Sequence, residues 1–151
     1  MKVVVDASLL IEGLDPDSPL AERAADLRKR IARETLAAPA LILWEIGNYV
    51  ARMVAQTVNE DAANAGLATA GFVEDIVLDI PDARKTGRII ELAVRHGLTF
   101  YDASYLELAT REPDSYLISQ DGRLRRAGEK ELGKPRSLDL EGARSVFKAR
   151  L

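Results

Sequence analysis

Val3-Val4-Val5-Asp6-Ala7-Ser8 decides the fold. A short, wholly apolar β-branched run suits a strand buried on both faces, and an acid at its end has no place in an apolar interior. Working outward, short apolar runs alternate with longer segments of helical period. Strands are expected at 3–5, 35–38 (ended by Pro39), 76–80, 116–119 and 137–140. Helices are expected at 20–33, 40–56, 82–96 (stopped by Gly97) and 101–112, with another from Asn59 through Val73, a short one started by Asp121 and one at the C-terminus. That alternation is the mark of βαβ units, hence an α/β fold around a parallel sheet.

Composition narrows the chemistry. The chain has 151 residues, 47% hydrophobic and 30% charged, which suits one globular domain over 1–151. Its most apolar stretch, 36–55, contains Glu45, Asn48 and Arg52, so no membrane span is expected, and the direct opening into a strand points to a cytoplasmic protein. With no cysteine and His96 as the only histidine, thiolate sites and multi-histidine zinc sites are excluded. Oxygen ligation remains, and it favours magnesium or manganese.

Four acids stand in marked surroundings. Asp6 ends the first strand, Glu45 interrupts Leu41-Ile42-Leu43-Trp44, and Asp102 and Asp121 stand at the start of helical segments. In a parallel sheet, ligands gather beyond the carboxyl ends of the strands, and all four acids can converge there. Two carboxylates about 4 Å apart repel by roughly 4 kcal/mol at an effective dielectric near 20, a cost a divalent cation removes. Three of the acids also have a plainer reading, while Glu45, inside an apolar helical run, needs a partner. Asp102 and Asp121 are suitable helix N-caps, and Asp6 can simply end a strand at the surface. Asn48 lies three residues beyond Glu45 on the same helix face, and asparagine is also common as a satisfied buried amide.

Other features carry less. Gly128-Glu129-Lys130-Glu131-Leu132-Gly133-Lys134 fits the phosphate-loop pattern in letters only, because Pro135 replaces the hydroxyl and the segment follows a helix. His96 before Gly97 suits a helix end, interacting with its last carbonyls. Asp15-Pro16-Asp17 reads as a turn. Arg123, Arg125 and Arg126 follow Asp121 and offer either phosphate contacts or a solvated face.

Four segments together resemble the PIN-domain nucleases, and most closely the VapC-type toxins: Val3-Val4-Val5-Asp6-Ala7-Ser8, Pro39 with Glu45 and Asn48, Tyr101-Asp102-Ala103-Ser104-Tyr105-Leu106, and Leu117-Ile118-Ser119-Gln120-Asp121 with Leu124. The resemblance implies a three-layer α/β/α single domain with a central parallel sheet. It implies that Asp6, Glu45, Asp102 and Asp121 bind one or two Mg2+ or Mn2+ ions and catalyse, with Ser119 as a hydroxyl beside them and Asn48 as a polar partner of Glu45. Serine stands at 119 where threonine is frequent, which keeps the hydroxyl. The implied reaction is endonucleolytic hydrolysis of single-stranded RNA, leaving a 5′-phosphate and a 3′-hydroxyl, and the implied partners are a VapB-type antitoxin and a second copy of the chain. Apolar residues around most of the helix over 36–53, including Trp44, Tyr49 and Met53, and in the next helix Leu67 and Phe72, fit burial against another chain. Two rivals remain: a receiver-like magnesium-binding signalling domain, and a PIN-like binding module without catalysis. The first needs an acidic pair after strand one and a lysine after the last strand, and the sequence has neither.

Overall fold

The computed structural model describes residues 1–15, 17–56, 71 and 73–148. The strands are β1 (Lys2–Val5), β2 (Thr35–Pro39), β3 (Ile76–Asp79), β4 (Tyr116–Ile118) and β5 (Ser137–Leu138). They form one parallel sheet in the order β3-β2-β1-β4-β5. Seven helices flank it among the described residues: α1 (Ala7–Leu14), α2 (Ala21–Ile31), α3 (Ile42–Gln56), α4 (Ala83–His96), α5 (Phe100–Thr110), α6 (Gly122–Leu132) and α7 (Leu140–Val146). The architecture is the expected three-layer α/β/α arrangement. None of these helices is long and apolar enough to cross a membrane.

β1 is the central strand, and Val3, Val4 and Val5 are wholly buried, which explains an apolar run without alternation. Its neighbours are set in register, Val4 beside Ala37 and Leu117, and Val5 beside Ile118. The carboxyl ends of β1 and β4 therefore lie side by side. Residues of α5 are buried on every face from Ala103 to Ala109, and the helix packs on β1, β2 and β4 and against α4 and α6. Glu107, buried within it, is paired with Arg111, which also binds Asp79 at the end of β3 through two bonds of 2.7 and 2.9 Å.

Several boundaries differ from the sequence reading, each for a local reason. α1 was not expected. It follows β1 directly, with Asp6 extended at its N-cap position; the Asp6 side chain gives no cap and is instead met by Ser8 and Ser119. β5 stops at Leu138 because Asp139 caps α7, accepting from the Gly142 N–H at 2.7 Å. The phosphate-loop look-alike lies mostly within α6, ending in a 3-10 turn at Lys134–Arg136. Gly128 is needed there for close packing, since a Cβ would come within 2.3 Å of Ser137 Oγ. The expected cap at Asn59, and Leu67 and Phe72, lie outside the described residues, as does Pro16 of the turn at 15–17.

Candidate functional site

Asp6 follows β1 with its N–H donating to the Ile118 carbonyl at 3.0 Å, so it continues the strand pairing to β4. It is only 6% exposed. Two hydroxyls donate to the same oxygen, Ser8 Oγ at 2.6 Å and Ser119 Oγ at 2.7 Å to Asp6 Oδ2. Each serine is oriented by a backbone donor beyond β4. Ser8 Oγ accepts from the Gln120 N–H at 2.9 Å, and Ser119 Oγ from the Asp121 N–H at 2.9 Å. Burial pushes the Asp6 carboxyl above its ordinary value; the two serines oppose this, and the Asp102 charge reinforces it.

Glu45 lies in the first turn of α3, half-buried, and its Oε2 accepts from the Tyr105 hydroxyl at 2.5 Å. Burial raises its carboxyl, the Tyr105 bond lowers it, and the charges of Asp6 and Asp102 raise it again. Tyr105 is wholly buried in α5. Burial first, then the charges of Asp6 and Glu45, push its phenol far above the ordinary tyrosine range, so it stays a protonated donor.

Asp102 is half-buried in the first turn of α5, and it is not the cap of that helix. Thr99 is: its Oγ1 accepts from the Asp102 N–H at 3.0 Å and donates to Asp102 Oδ2 at 2.7 Å. Asp121 does take the cap role left open by the sequence. Its Oδ1 accepts from the N–H groups of Arg123 at 2.7 Å and Leu124 at 2.9 Å. Thus the charges of Asp6 and Asp102 both act on Glu45 and that of Asp102 acts on Asp6, while Asp121 is tied to them by its backbone N–H through Ser119.

Two expectations for individual residues need revising. Asn48 is exposed and its recorded hydrogen bond is at its backbone carbonyl, which accepts from Arg52 Nε at 3.3 Å; the partner of Glu45 is Tyr105. The reason is that the Tyr105 hydroxyl, on a ring wholly buried in α5, needs an acceptor and reaches Glu45 at the start of α3. His96 does not serve the last carbonyls of α4 but meets Glu131 Oε1 on α6 through Nε2 at 2.7 Å. Ser8, Thr99 and Tyr105 were not singled out as supporting hydroxyls, although each stands two or three residues from a candidate acid. Arg123 and Arg126 are exposed and Arg125 half-buried, and none joins the ion pairs found among the described residues, unlike Arg30, Arg95, Arg111 and Arg144.

No three Asp, Glu or His side chains among the described residues lie close enough to form a ready-made metal-holding group. The donor chemistry nevertheless fits a hard cation. Among the described residues, the carboxylates of Asp6, Glu45 and Asp102 are met by hydroxyls and join no ion pair. An open set of this kind suits an ion such as magnesium, which keeps several of its waters.

The PIN domain family profile matches residues 3–130. Among solved structures, the crystal structure of PAE2754 from Pyrobaculum aerophilum aligns with a TM-score of 0.73 at 25% sequence identity, covering 99% of this chain and 91% of that one. No curated protein sequence matches the chain. A match across most of the length, with the acid-lined end of a parallel sheet inside it, makes this chain a member of the PIN domain family, whose members are generally nucleases that use divalent metals.

Proposed function

We propose that the protein is a metal-dependent endoribonuclease acting on single-stranded RNA, and that it is the VapC-type toxin of a toxin–antitoxin pair. The observation that supports the nuclease reading is the placement of Asp6 at the joined carboxyl ends of β1 and β4, held by Ser8 and Ser119, with Glu45 brought in by Tyr105, inside the PIN domain match. Asp6, Glu45 and Asp102 would hold a magnesium or manganese ion, with Asp121 at the margin. When bound, the ion supplies charge neutralisation and a Lewis acid for water and phosphate.

The chain's own groups do the rest. Ser8 and Ser119 donate to the buried Asp6 carboxylate and favour its anionic form, offsetting part of the cost of burial. Thr99 fixes Asp102 at the start of α5. Arg123, Arg125 and Arg126, just past Asp121, attract the phosphate backbone, which matters because a net charge of −3 gives no general attraction for nucleic acid. A homodimer and a VapB-type antitoxin belong to this reading. Supporting a partner surface, α3 keeps only Ile42 and Ile46 fully buried while Trp44 is 66% exposed.

The test is incubation of the purified protein with single-stranded RNA in Mg2+ or Mn2+ and in chelator, with end-group analysis and a single-stranded DNA arm. Metal-dependent RNA products bearing 5′-phosphate and 3′-hydroxyl ends, absent for Asp6→Asn, are expected. RNA bound but uncut, with no Mn2+ binding, would support the non-catalytic module instead.

A further inference from the structure

Tyr105 occupies an unusual position for a core tyrosine. Its ring is wholly buried in the helix that the sheet and two neighbouring helices enclose, yet its one polar atom reaches another element to meet a carboxylate. It stands three residues after Asp102, so one face of α5 delivers both an acid and a phenol to the same place. Glu45 comes from α3, a different element, and its long side chain has freedom that neither Asp6 nor Asp102 has. The charges of those two acids disfavour a third carboxylate near them. Opposing this, Tyr105 Oη donates at 2.5 Å to Oε2, and no other side-chain donor to Glu45 is found among the described residues.

Resting on the metal-dependent reading above, we propose that Tyr105 is a positioning residue. By donating to Glu45 Oε2, it holds that carboxylate beside Asp6 and Asp102 and leaves Oε1 for a divalent cation. The hydroxyl is the functional part and the ring is packing. The arrangement follows the general pattern in which a group behind a metal ligand fixes its orientation, and loss of such a partner typically weakens metal binding by about 10–100-fold.

Tyr105→Phe removes only the hydroxyl and keeps the buried ring, so the experiment is Mn2+ titration by calorimetry of the full chain as wild type, Y105F, E45Q and the double variant. Expected is a rise of about tenfold or more in the Mn2+ dissociation constant on Tyr105→Phe in the wild-type background, and little further change in the E45Q background. Equal affinity of wild type and Y105F overturns the proposal. So does an equal loss in both backgrounds, which marks a general packing effect. Wild type that binds no Mn2+ overturns the metal reading itself, a result distinct from either. Should Y105F fail to fold, near-UV circular dichroism of the wild type and E45Q decides: a Mn2+-induced change in the tyrosine region lost in E45Q supports the role, and no change in the wild type overturns it.

Discussion

Ser119 and Asp6 are 113 residues apart in the chain and joined side chain to side chain, the serine hydroxyl donating to Asp6 Oδ2 at 2.7 Å. The bond spans the ends of β1 and β4, and through its other side, accepting from the Asp121 N–H, it ties the start of α6 to the same point. One hydroxyl thus links the Asp6 carboxylate to the backbone of Asp121. It also stabilises a charge that burial disfavours.

Ser119→Ala is therefore expected to cost about 1–3 kcal/mol, because it removes a donor to a buried carboxylate and strands the Asp121 N–H. Ser119→Thr, which keeps the hydroxyl, is expected to retain most of that. Urea midpoints of the three proteins measure it; an alanine variant as stable as the wild type would make the link dispensable.

Asp102→Asn is expected to abolish metal-dependent RNA cleavage while leaving metal-free stability unchanged or raised. Thr99, not Asp102, caps α5, so the substitution leaves the cap in place and removes one of three repelling charges. The opposing effect is loss of an acid from a helix first turn, typically 0.3–1 kcal/mol. A thermal melt in chelator settles the balance, and clear destabilisation there would mean that the helix dipole outweighs the repulsion.

Acid stability is expected to depend on Asp79. Arg111 chiefly, with help from Lys85, holds its carboxyl below the ordinary aspartate value of 3.8, against a smaller upward push from burial. A folded value below the unfolded one means the pairing contributes fully above the unfolded value and is lost as pH falls through the folded one. Asp79→Asn should cost about 2 kcal/mol at pH 7 and progressively less below pH 4, so the two stability curves converge in acid. Urea midpoints from pH 7 to pH 2.5 provide the check, and parallel curves would mean the ion pair contributes nothing.

Trp44 is expected to report self-association. It is exposed in the free chain beside Leu43, and burial against a second copy would blue-shift its emission relative to a monomer. Sedimentation across micromolar concentrations should show a dimer in the wild type and a larger monomer fraction for Trp44→Ser. A wild type that is monomeric throughout, with emission unchanged on dilution, removes the homodimer.

The parallel sheet was legible because its evidence is local. Val3-Val4-Val5 is apolar without alternation, which only a strand covered on both faces requires, and the Gly97 stop of α4 is a backbone preference realised at a positive φ of 62°. The candidate acids stood out for equally local reasons, Asp6 and Glu45 by breaking apolar runs and Asp102 and Asp121 by opening helical segments. The sequence by itself could not assign their partners. That Thr99 caps α5, that Asp121 is occupied as a cap, and that Tyr105 rather than Asn48 meets Glu45 were decided by tertiary structure. A hydrogen bond between α3 and α5 depends on where the fold sets two helices 60 residues apart in the chain, and residue spacing within either helix carries no information about that.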